Sequence, residues 1–192
     1  MIESVEFIAH KLLGLICHQD PSIVLVVQGH PLPLCPRCTS MHTGFFIFIL
    51  SMCLISDEFR LKLARINPFV VLLLISVTGI EWILANYHLF SSSTVSRLLT
   101  GFCTGTGIGL LLIIYQARQS IYFMTTLTRR IVILSGICLL FILFMLVDPI
   151  QYFWLNLTLL LSNIVFINFL IVVTTFILRA QGMIRNLTYT LQ

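Results

Sequence analysis

The chain of 192 residues is long enough for one domain, but its composition excludes a soluble one. Hydrophobic residues make up 58% and charged residues 9% of the chain, whereas a soluble domain carries about 25% charged residues. The net charge of +4 comes without a basic patch interleaved with aromatic residues, which argues against nucleic-acid binding. The composition therefore predicts an integral membrane protein whose surroundings are a lipid bilayer.

The first segment, residues 1–16, is predicted to form an amphipathic helix. Its apolar residues recur near helical spacing, but polar groups interrupt them at Glu3, Glu6, His10 and Lys11. A membrane span needs about 20 mostly apolar residues, so we expect this helix to lie along the membrane surface. The early acidic residues and the lack of a small-residue cleavage site argue against a removable signal peptide.

The sequence of residues 22–35 predicts a small hairpin. A β-branched run ends at the turn signal Gln28-Gly29, and Pro31 and Pro33 prevent a helix from forming directly afterwards. The second arm of the hairpin would deliver Cys35, and the next helix would begin shortly after it. We therefore predict a single membrane domain, residues 1–192, in which 1–39 form an N-terminal Cys/His segment and 40–192 form a helical bundle.

Five apolar stretches predict five transmembrane helices, so the expected fold class is an all-α membrane protein. They run from Ser40 to Ile55, Pro68 to Tyr87, Val95 to Tyr115, Ile131 to Val147 and Tyr152 to Leu178.

The distribution of basic residues predicts the orientation of these helices. One side of the predicted spans carries Arg60, Lys62, Arg65, Arg118, Arg129, Arg130, Arg179 and Arg185. The other side carries Lys11, Arg37 and Arg97. Because basic residues in short loops resist translocation, the richer side is predicted to be cytoplasmic. The C-terminus would then be cytoplasmic, and the Cys/His segment would face outward.

Metal-ligating side chains are concentrated between Cys17 and Cys38. Cys35 and Cys38 form a Cys-x-x-Cys pair, which supplies two ligands from one backbone bend, and thiolate and imidazole together suit zinc. Cys17 would be a third ligand and His18 or His30 a fourth, while His42 is another candidate ligand or a proton carrier. The same cysteines could instead form a structural disulfide or a redox-active pair.

A polar pocket is predicted beside this segment. Glu81, His88 and Arg97 fall on the same predicted side as the cysteines, and Glu81 lies about two helical turns inside the membrane boundary. A carboxylate at such a depth needs a partner, and Arg97 is the predicted counter-ion. These three residues are the candidate catalytic residues. Gly101, Gly105 and the glycines after them favour close helix packing within the bundle over dimerisation.

Three short motifs carry a resemblance to a known family. They read Cys17-His18-x-x-Pro21, then Leu34-Cys35-x-Arg37-Cys38-Thr39, then Arg97-x-x-Thr100-Gly101. The chain resembles domain of unknown function 2085, a family of prokaryotic membrane proteins. The resemblance implies several membrane helices in a prokaryotic cell membrane and a Cys/His site, but no particular reaction. It also favours His18 over His30 as the fourth ligand, whereas Ser40 and His42 depart from the family pattern.

Three functions are consistent with these residues. The metal could serve an enzyme acting on a lipid or lipid-linked substrate, with Glu81 as general base and Arg97 binding an anionic group. The metal could instead be structural and fasten the N-terminal segment over a bundle that binds a lipid, a small molecule or a partner. The cysteines could also carry out thiol-disulfide exchange. Three thiolates and one histidine leave no open position in a zinc tetrahedron, which favours the structural hypothesis.

Overall fold

A computed structural model of the chain describes residues 2–17, 19, 22–54, 57–63, 65–118, 136 and 153–190. Its elements are α1 (Ile2–Leu13), β1 (Val26–Val27), β2 (His30–Pro31), α2 (Pro36–Leu54), α3 (Asp57–Leu63), α4 (Pro68–Asn86), α5 (Thr94–Arg118) and α6 (Phe153–Thr190). The described residues are thus mostly helical, as the composition predicts, with one short hairpin next to the cysteines.

Three helices in these ranges are long and apolar enough to cross a membrane: Pro68–Asn86, Thr94–Tyr115 and Phe153–Ile177. They coincide with the second, third and fifth predicted spans. The first predicted span corresponds to α2, which is not among the three and which begins at Pro36, earlier than predicted. The fourth, Ile131–Val147, lies outside the described residues. The count of five spans therefore remains a prediction.

The N-terminal segment folds as predicted, with a helix followed by a hairpin. On α1, Ala9 and Leu13 are buried, whereas Leu12 is 62% exposed, so the helix has one packed face and one open apolar face. The hairpin pairs Val26 with Pro31 in antiparallel register. Its two turn residues, Gln28 and Gly29, both have positive φ (53° and 83°), which matches the twist of a two-residue hairpin turn.

Three of the long helices run in the same direction. Along α2 and α5, Arg37 lies beside Gly101, and Phe48 lies further along beside Gly109. Trp154 at the start of α6 stacks on His30 in the hairpin, and Asn168, midway along α6, bonds His42 in α2. By contrast, α4 is antiparallel to α5, because Thr78 bonds Thr100 and the earlier residue Ile75 bonds the later residue Thr104. Helices α2, α5 and α6 therefore all begin at the end of the bundle where the cysteines lie.

The core of the bundle lies between α2, α5 and α6. Its buried side chains are Phe45, Phe46, Ile49, Met52, Ile113, Ile164, Ile167 and Ile171. The outward faces remain apolar: Phe69, Leu72 and Trp82 on α4 are each more than half exposed. Exposed apolar faces of this kind are expected for helices in contact with lipid.

The glycines of α5 bring α2 close to it. Gly101 contacts the backbone at Arg37, and Gly105 contacts the backbone at Met41, so neither position has room for a side chain. The prediction that these glycines serve packing within the bundle is confirmed.

Replacing Gly105 with alanine is expected to destabilise the bundle. A Cβ at this position would collide with the carbonyl oxygen of Met41, and overpacking of this kind costs about 1–3 kcal/mol. The free energy of unfolding can be measured by titrating the purified protein with SDS. Gly79→Ala in α4 is the control, because no atom from another element in the described part of the chain lies within 4 Å of a Cβ there. Equal stability of the two variants would contradict the close packing of α2 and α5.

Candidate functional site

Three cysteines from two separate segments meet at the start of α2. Cys17 follows α1, and its amide donates to the carbonyl oxygen of Leu13 at 3.1 Å. Cys35 immediately precedes α2, and its carbonyl oxygen accepts from the amide of Thr39 at 2.9 Å. Cys38 lies in the first turn of the helix. The three Sγ atoms lie within 4.8 Å of one another.

Local sequence explains how Cys35 and Cys38 are presented together. Pro36 is the first residue of α2, a position that suits proline because its fixed φ is helical and the missing N–H has no partner there. Cys35 and Cys38 therefore lie on either side of the helix start, one turn apart. The amide of Cys35 also donates to Sγ of Cys17 at 3.3 Å, which brings the third cysteine to the same point.

The cysteine group is enclosed by apolar side chains. Leu13, Leu32, Leu34 and Leu161 are buried around it, and Cys17 and Cys35 are themselves buried. Gln19 holds the loop after Cys17 against the hairpin, because its Nε2 donates to the carbonyl oxygens of His10 (2.9 Å) and Pro33 (2.8 Å). Cys38 is half-buried. All three are free thiols in the structure.

Hydrogen bonds among the three thiols shift the pKa values of Cys17 and Cys35 in opposite directions. The pKa of Cys17 is held well below that of a free thiol because the thiols of Cys35 and Cys38 donate hydrogen bonds to its sulfur. The pKa of Cys35 is raised, since its thiol is the donor in the bond to Cys17 and since burial disfavours the thiolate. The group therefore holds one thiolate readily, and a bound metal ion would displace the remaining protons.

The three cysteines lie close enough to hold a metal ion, and thiolate donors suit zinc. Three thiolates in a buried, tightly spaced group are characteristic of structural zinc sites. His30 is not part of the group: its ring stacks on Trp154, with ring centroids 3.8 Å apart and planes 7° apart. His42 also lies outside the group and contacts Asn168. His18, the predicted fourth ligand, lies outside the described residues.

A buried ion pair adjoins the cysteines. Arg37, the residue before Cys38, donates from its guanidinium to Oε2 of Glu81. Glu81 is 6% exposed and Arg37 20% exposed. The prediction that Arg97 is the counter-ion of Glu81 was therefore wrong. Because α2 is drawn close to α5, a guanidinium at the start of α2 reaches the carboxylate on α4.

Arg97 reaches Glu81 through a serine. The hydroxyl of Ser92 donates to Oε1 of Glu81, and Nε of Arg97 donates to the Ser92 oxygen at 2.9 Å. The carboxylate thus has one partner on each oxygen. Ser92 was not predicted as a site residue, because in the sequence it is only one of three consecutive serines before α5. Its position opposite a buried carboxylate is visible only in the folded chain.

The third predicted pocket residue lies apart from this network. His88 follows α4 in a turn with positive φ (56°), and its side chain is exposed. Within the described ranges, no hydrogen bond or ion pair joins it to Glu81. The structure therefore brings Glu81, Arg97 and the additional residue Arg37 together and leaves His88 at the surface.

Comparisons with known proteins agree with these motifs. Residues 17–111 match the family model described as predicted membrane protein (DUF2085). An uncharacterised protein of Methanothermobacter thermautotrophicus (strain Delta H) is 31% identical over 96 residues, which cover 50% of this chain and 83% of the relative. The chain belongs to the DUF2085 family. The resemblance inferred from the motifs is thereby confirmed.

The matched region of this DUF2085 protein contains the whole candidate site. It begins at Cys17 and ends in α5, so it includes the three cysteines, Arg37, Glu81 and Arg97. Helix α6 lies beyond it. No solved structure matches the chain.

Proposed function

We propose that Cys17, Cys35 and Cys38 hold a structural zinc ion, with His18 as the fourth ligand. The observation that carries this proposal is the convergence of three thiols from two segments within 4.8 Å, two of them buried and one half-buried. Such a metal would fasten the loop after α1 to the start of α2. Metal binding supplies folding free energy directly, and the short hairpin between these segments is too small to be stable alone.

Burial favours a structural metal over thiol-disulfide exchange. Exchange requires a thiolate that an attacking partner can reach, and Cys17 and Cys35 are 4% and 3% exposed. Their neighbours in the described part of the chain include buried leucine side chains, which limit the access of water. The protein supplies all four ligands of a structural zinc ion, and the burial of Cys17 and Cys35 supports a site of this kind.

Elemental analysis of the purified protein tests this proposal. We expect one zinc ion per chain, together with thiols that react with a thiol reagent only after a chelator and a denaturant are added. A metal-free protein with a disulfide between two of the three cysteines would refute it. Reversible oxidation without zinc would instead support the redox hypothesis.

A second candidate function is recognition of an anionic lipid group at Arg37 and Arg97. Arg37 pairs directly with Glu81 and Arg97 reaches it through Ser92, so two guanidinium groups accompany one carboxylate and the network has a surplus positive charge. Nε of Arg37 is buried and has no hydrogen-bond partner in the part of the chain that the structure describes. An enzyme acting on a lipid-linked substrate could use this charge to hold a phosphate, with Glu81 as the base.

Lipid titration tests the second candidate. The protein in neutral nanodiscs is expected to bind added phosphatidylglycerol, and Arg97→Ala is expected to weaken this binding about tenfold, as the loss of one charge-assisted hydrogen bond does. Arg65→Ala is the control, because this exposed arginine lies at the opposite end of the bundle. Equal binding by both variants would exclude a headgroup role for Arg97.

We also propose that the single membrane domain has five spans with the zinc site outside. Helix α5 runs away from the cysteine end of the bundle and α6 starts at that end, so the intervening chain has to return across the bilayer. The predicted span Ile131–Val147 would provide this return. The distribution of basic residues supports the outward orientation in a prokaryotic cell membrane.

Labelling of introduced cysteines in whole cells tests the orientation. Ser91→Cys, between α4 and α5, is expected to react with a membrane-impermeant thiol reagent. Glu58→Cys in α3 is expected to react only after the membrane is permeabilised, since it lies at the opposite end of the helices. Both side chains are exposed, so access to the reagent depends on the side of the membrane. Reaction of Glu58→Cys alone in intact cells would reverse the proposed topology.

A further inference from the structure

A cavity of about 770 Å³ lies between α1, α2 and α6, away from the Arg37–Glu81 pair. Its volume falls in the range of about 300–1,000 Å³ that is typical of small-molecule sites. The walls are almost entirely hydrocarbon, including Leu12, Ile16, Phe45, Val165 and Phe169. Among the residues that the structure describes, no lysine, arginine, aspartate or glutamate lines the cavity.

One wall of the cavity carries a buried amide with a free acceptor. Asn168 is 5% exposed, and its Nδ2 donates to the carbonyl oxygen of His42 at 2.9 Å. Its Oδ1 is buried and has no hydrogen-bond partner within the described ranges. Buried polar atoms in native proteins are nearly always paired, so this oxygen is suited to accept a hydrogen bond from a ligand.

The neighbouring histidine offers the complementary group. Nδ1 of His42 lies 3.4 Å from Nδ2 of Asn168, an arrangement in which Nδ1 accepts and the ring proton is carried by Nε2. His42 also lines the cavity. The pair thus presents an acceptor, Asn168 Oδ1, and a donor, His42 Nε2, in apolar surroundings. A hydroxyl group matches this pair chemically, because it donates one hydrogen bond and accepts another.

We propose that this cavity binds a neutral lipid with a single hydrocarbon chain that ends in a hydroxyl group. The hydroxyl donates to Oδ1 of Asn168 and accepts from His42, and the chain fills the apolar remainder. An ionised headgroup is disfavoured because, among the described residues, no lysine, arginine, aspartate or glutamate lines the cavity to pair with it.

The geometry of α1 provides the route of entry. Ile8, Leu12, Leu15 and Ile16 line the cavity, yet each of them is 48% exposed or more. The cavity wall is therefore continuous with an open apolar surface, and a lipid chain can enter sideways from the bilayer. Ala9 and Leu13 also line the cavity, and they are buried.

Photolabelling of the purified protein in nanodiscs tests the proposal. Three 16-carbon probes with the same diazirine on the chain are compared: a primary alcohol, the alkane without the hydroxyl, and the carboxylic acid. We expect the alcohol to label residues on α1 and α6 about tenfold more than the alkane at equal concentration, the effect of a net hydrogen bond or two. The ionised acid is expected to label least.

Two variants and a control make the test specific. Asn168→Leu is expected to remove the preference for the alcohol over the alkane while keeping labelling of the cavity, because the chain still fits. Leu159→Trp fills the cavity and is expected to reduce labelling by all probes. Asn163→Leu is the control, since Nδ2 of Asn163 donates to the carbonyl oxygen of Leu159 and the residue does not line the cavity.

Three results would overturn the proposal. Equal labelling by alcohol and alkane in the unmodified protein would mean that bilayer chains simply fill the space. A preference that survives Asn168→Leu would place the hydroxyl elsewhere. Strongest labelling by the acid would indicate an anionic ligand.

Discussion

Cys38→Ser is expected to lower the zinc content of the purified protein by more than about tenfold. The hydroxyl of serine is a poor zinc ligand, and the remaining two thiols cannot close a tetrahedron. Because the metal is proposed to join Cys17 to the start of α2, its loss should also release the N-terminal segment. Limited proteolysis is then expected to cut the chain between α1 and the hairpin, where the unmodified protein resists.

Cys103→Ser is the matched control for this experiment. Cys103 is a free, half-buried thiol in α5 and lies outside the cysteine group. Its variant should keep one zinc ion per chain and the original resistance to protease. If Cys38→Ser kept its metal and its resistance as well, the proposed ligand set would be wrong. If both variants lost the metal, the effect would reflect general unfolding, and His18→Ala would then be needed to separate ligation from folding.

Arg37→Met is expected to reduce the free energy of unfolding by about 3–5 kcal/mol, because it leaves the carboxylate of Glu81 buried without its counter-ion. Glu81 is only 6% exposed, so solvent cannot replace the lost partner. The double variant Arg37→Met with Glu81→Met should recover most of this loss, since an apolar pair of similar volume needs no charge compensation. Titration with SDS measures the free energy of unfolding of the unmodified protein, the single variant and the double variant.

Arg65→Met is the control for the ion pair. Arg65 is exposed, and surface substitutions of this kind change stability by less than about 0.5 kcal/mol. Equal effects at positions 37 and 65 would show that the ion pair does not stabilise the bundle. Zinc content should be measured in parallel, because Arg37 is adjacent to Cys38. If the Arg37→Met variant loses stability but keeps its zinc, the ion pair of Arg37 and the metal site at Cys38 contribute separately.

Several features of the molecule could be predicted because they depend on neighbouring residues. The hairpin follows from Gln28-Gly29, where both turn residues adopt positive φ, and from the prolines after it. The grouping of Cys35 with Cys38 follows from one turn of backbone. The membrane character and three of the predicted spans follow from the apolar length of single segments. In each case the deciding residues lie within about one helix or turn of one another.

The partner of Glu81 could not be predicted from neighbouring residues. Arg97 and Arg37 were both on the predicted outer side, and the helix-by-helix pattern pointed to Arg97. Which arginine pairs with Glu81 depends on how closely α2 approaches α5. Gly101 and Gly105 set this distance, because they contact the backbone of α2. Ser92 was missed for the same reason, since its bonds to Glu81 and Arg97 depend on the path of a loop.

The sequence alone thus determined the membrane class, the family, the hairpin and the identity of the three thiols. Tertiary structure decided the ion pair of Glu81, the exclusion of His30 from the cysteine group and the cavity beneath α1. The physical reason is that hydrophobicity and turn preferences act over a few residues, whereas contacts between helices depend on their relative rotation and approach. Asn168 and His42 meet across 126 residues of chain, and no local pattern marks either of them as the other's partner.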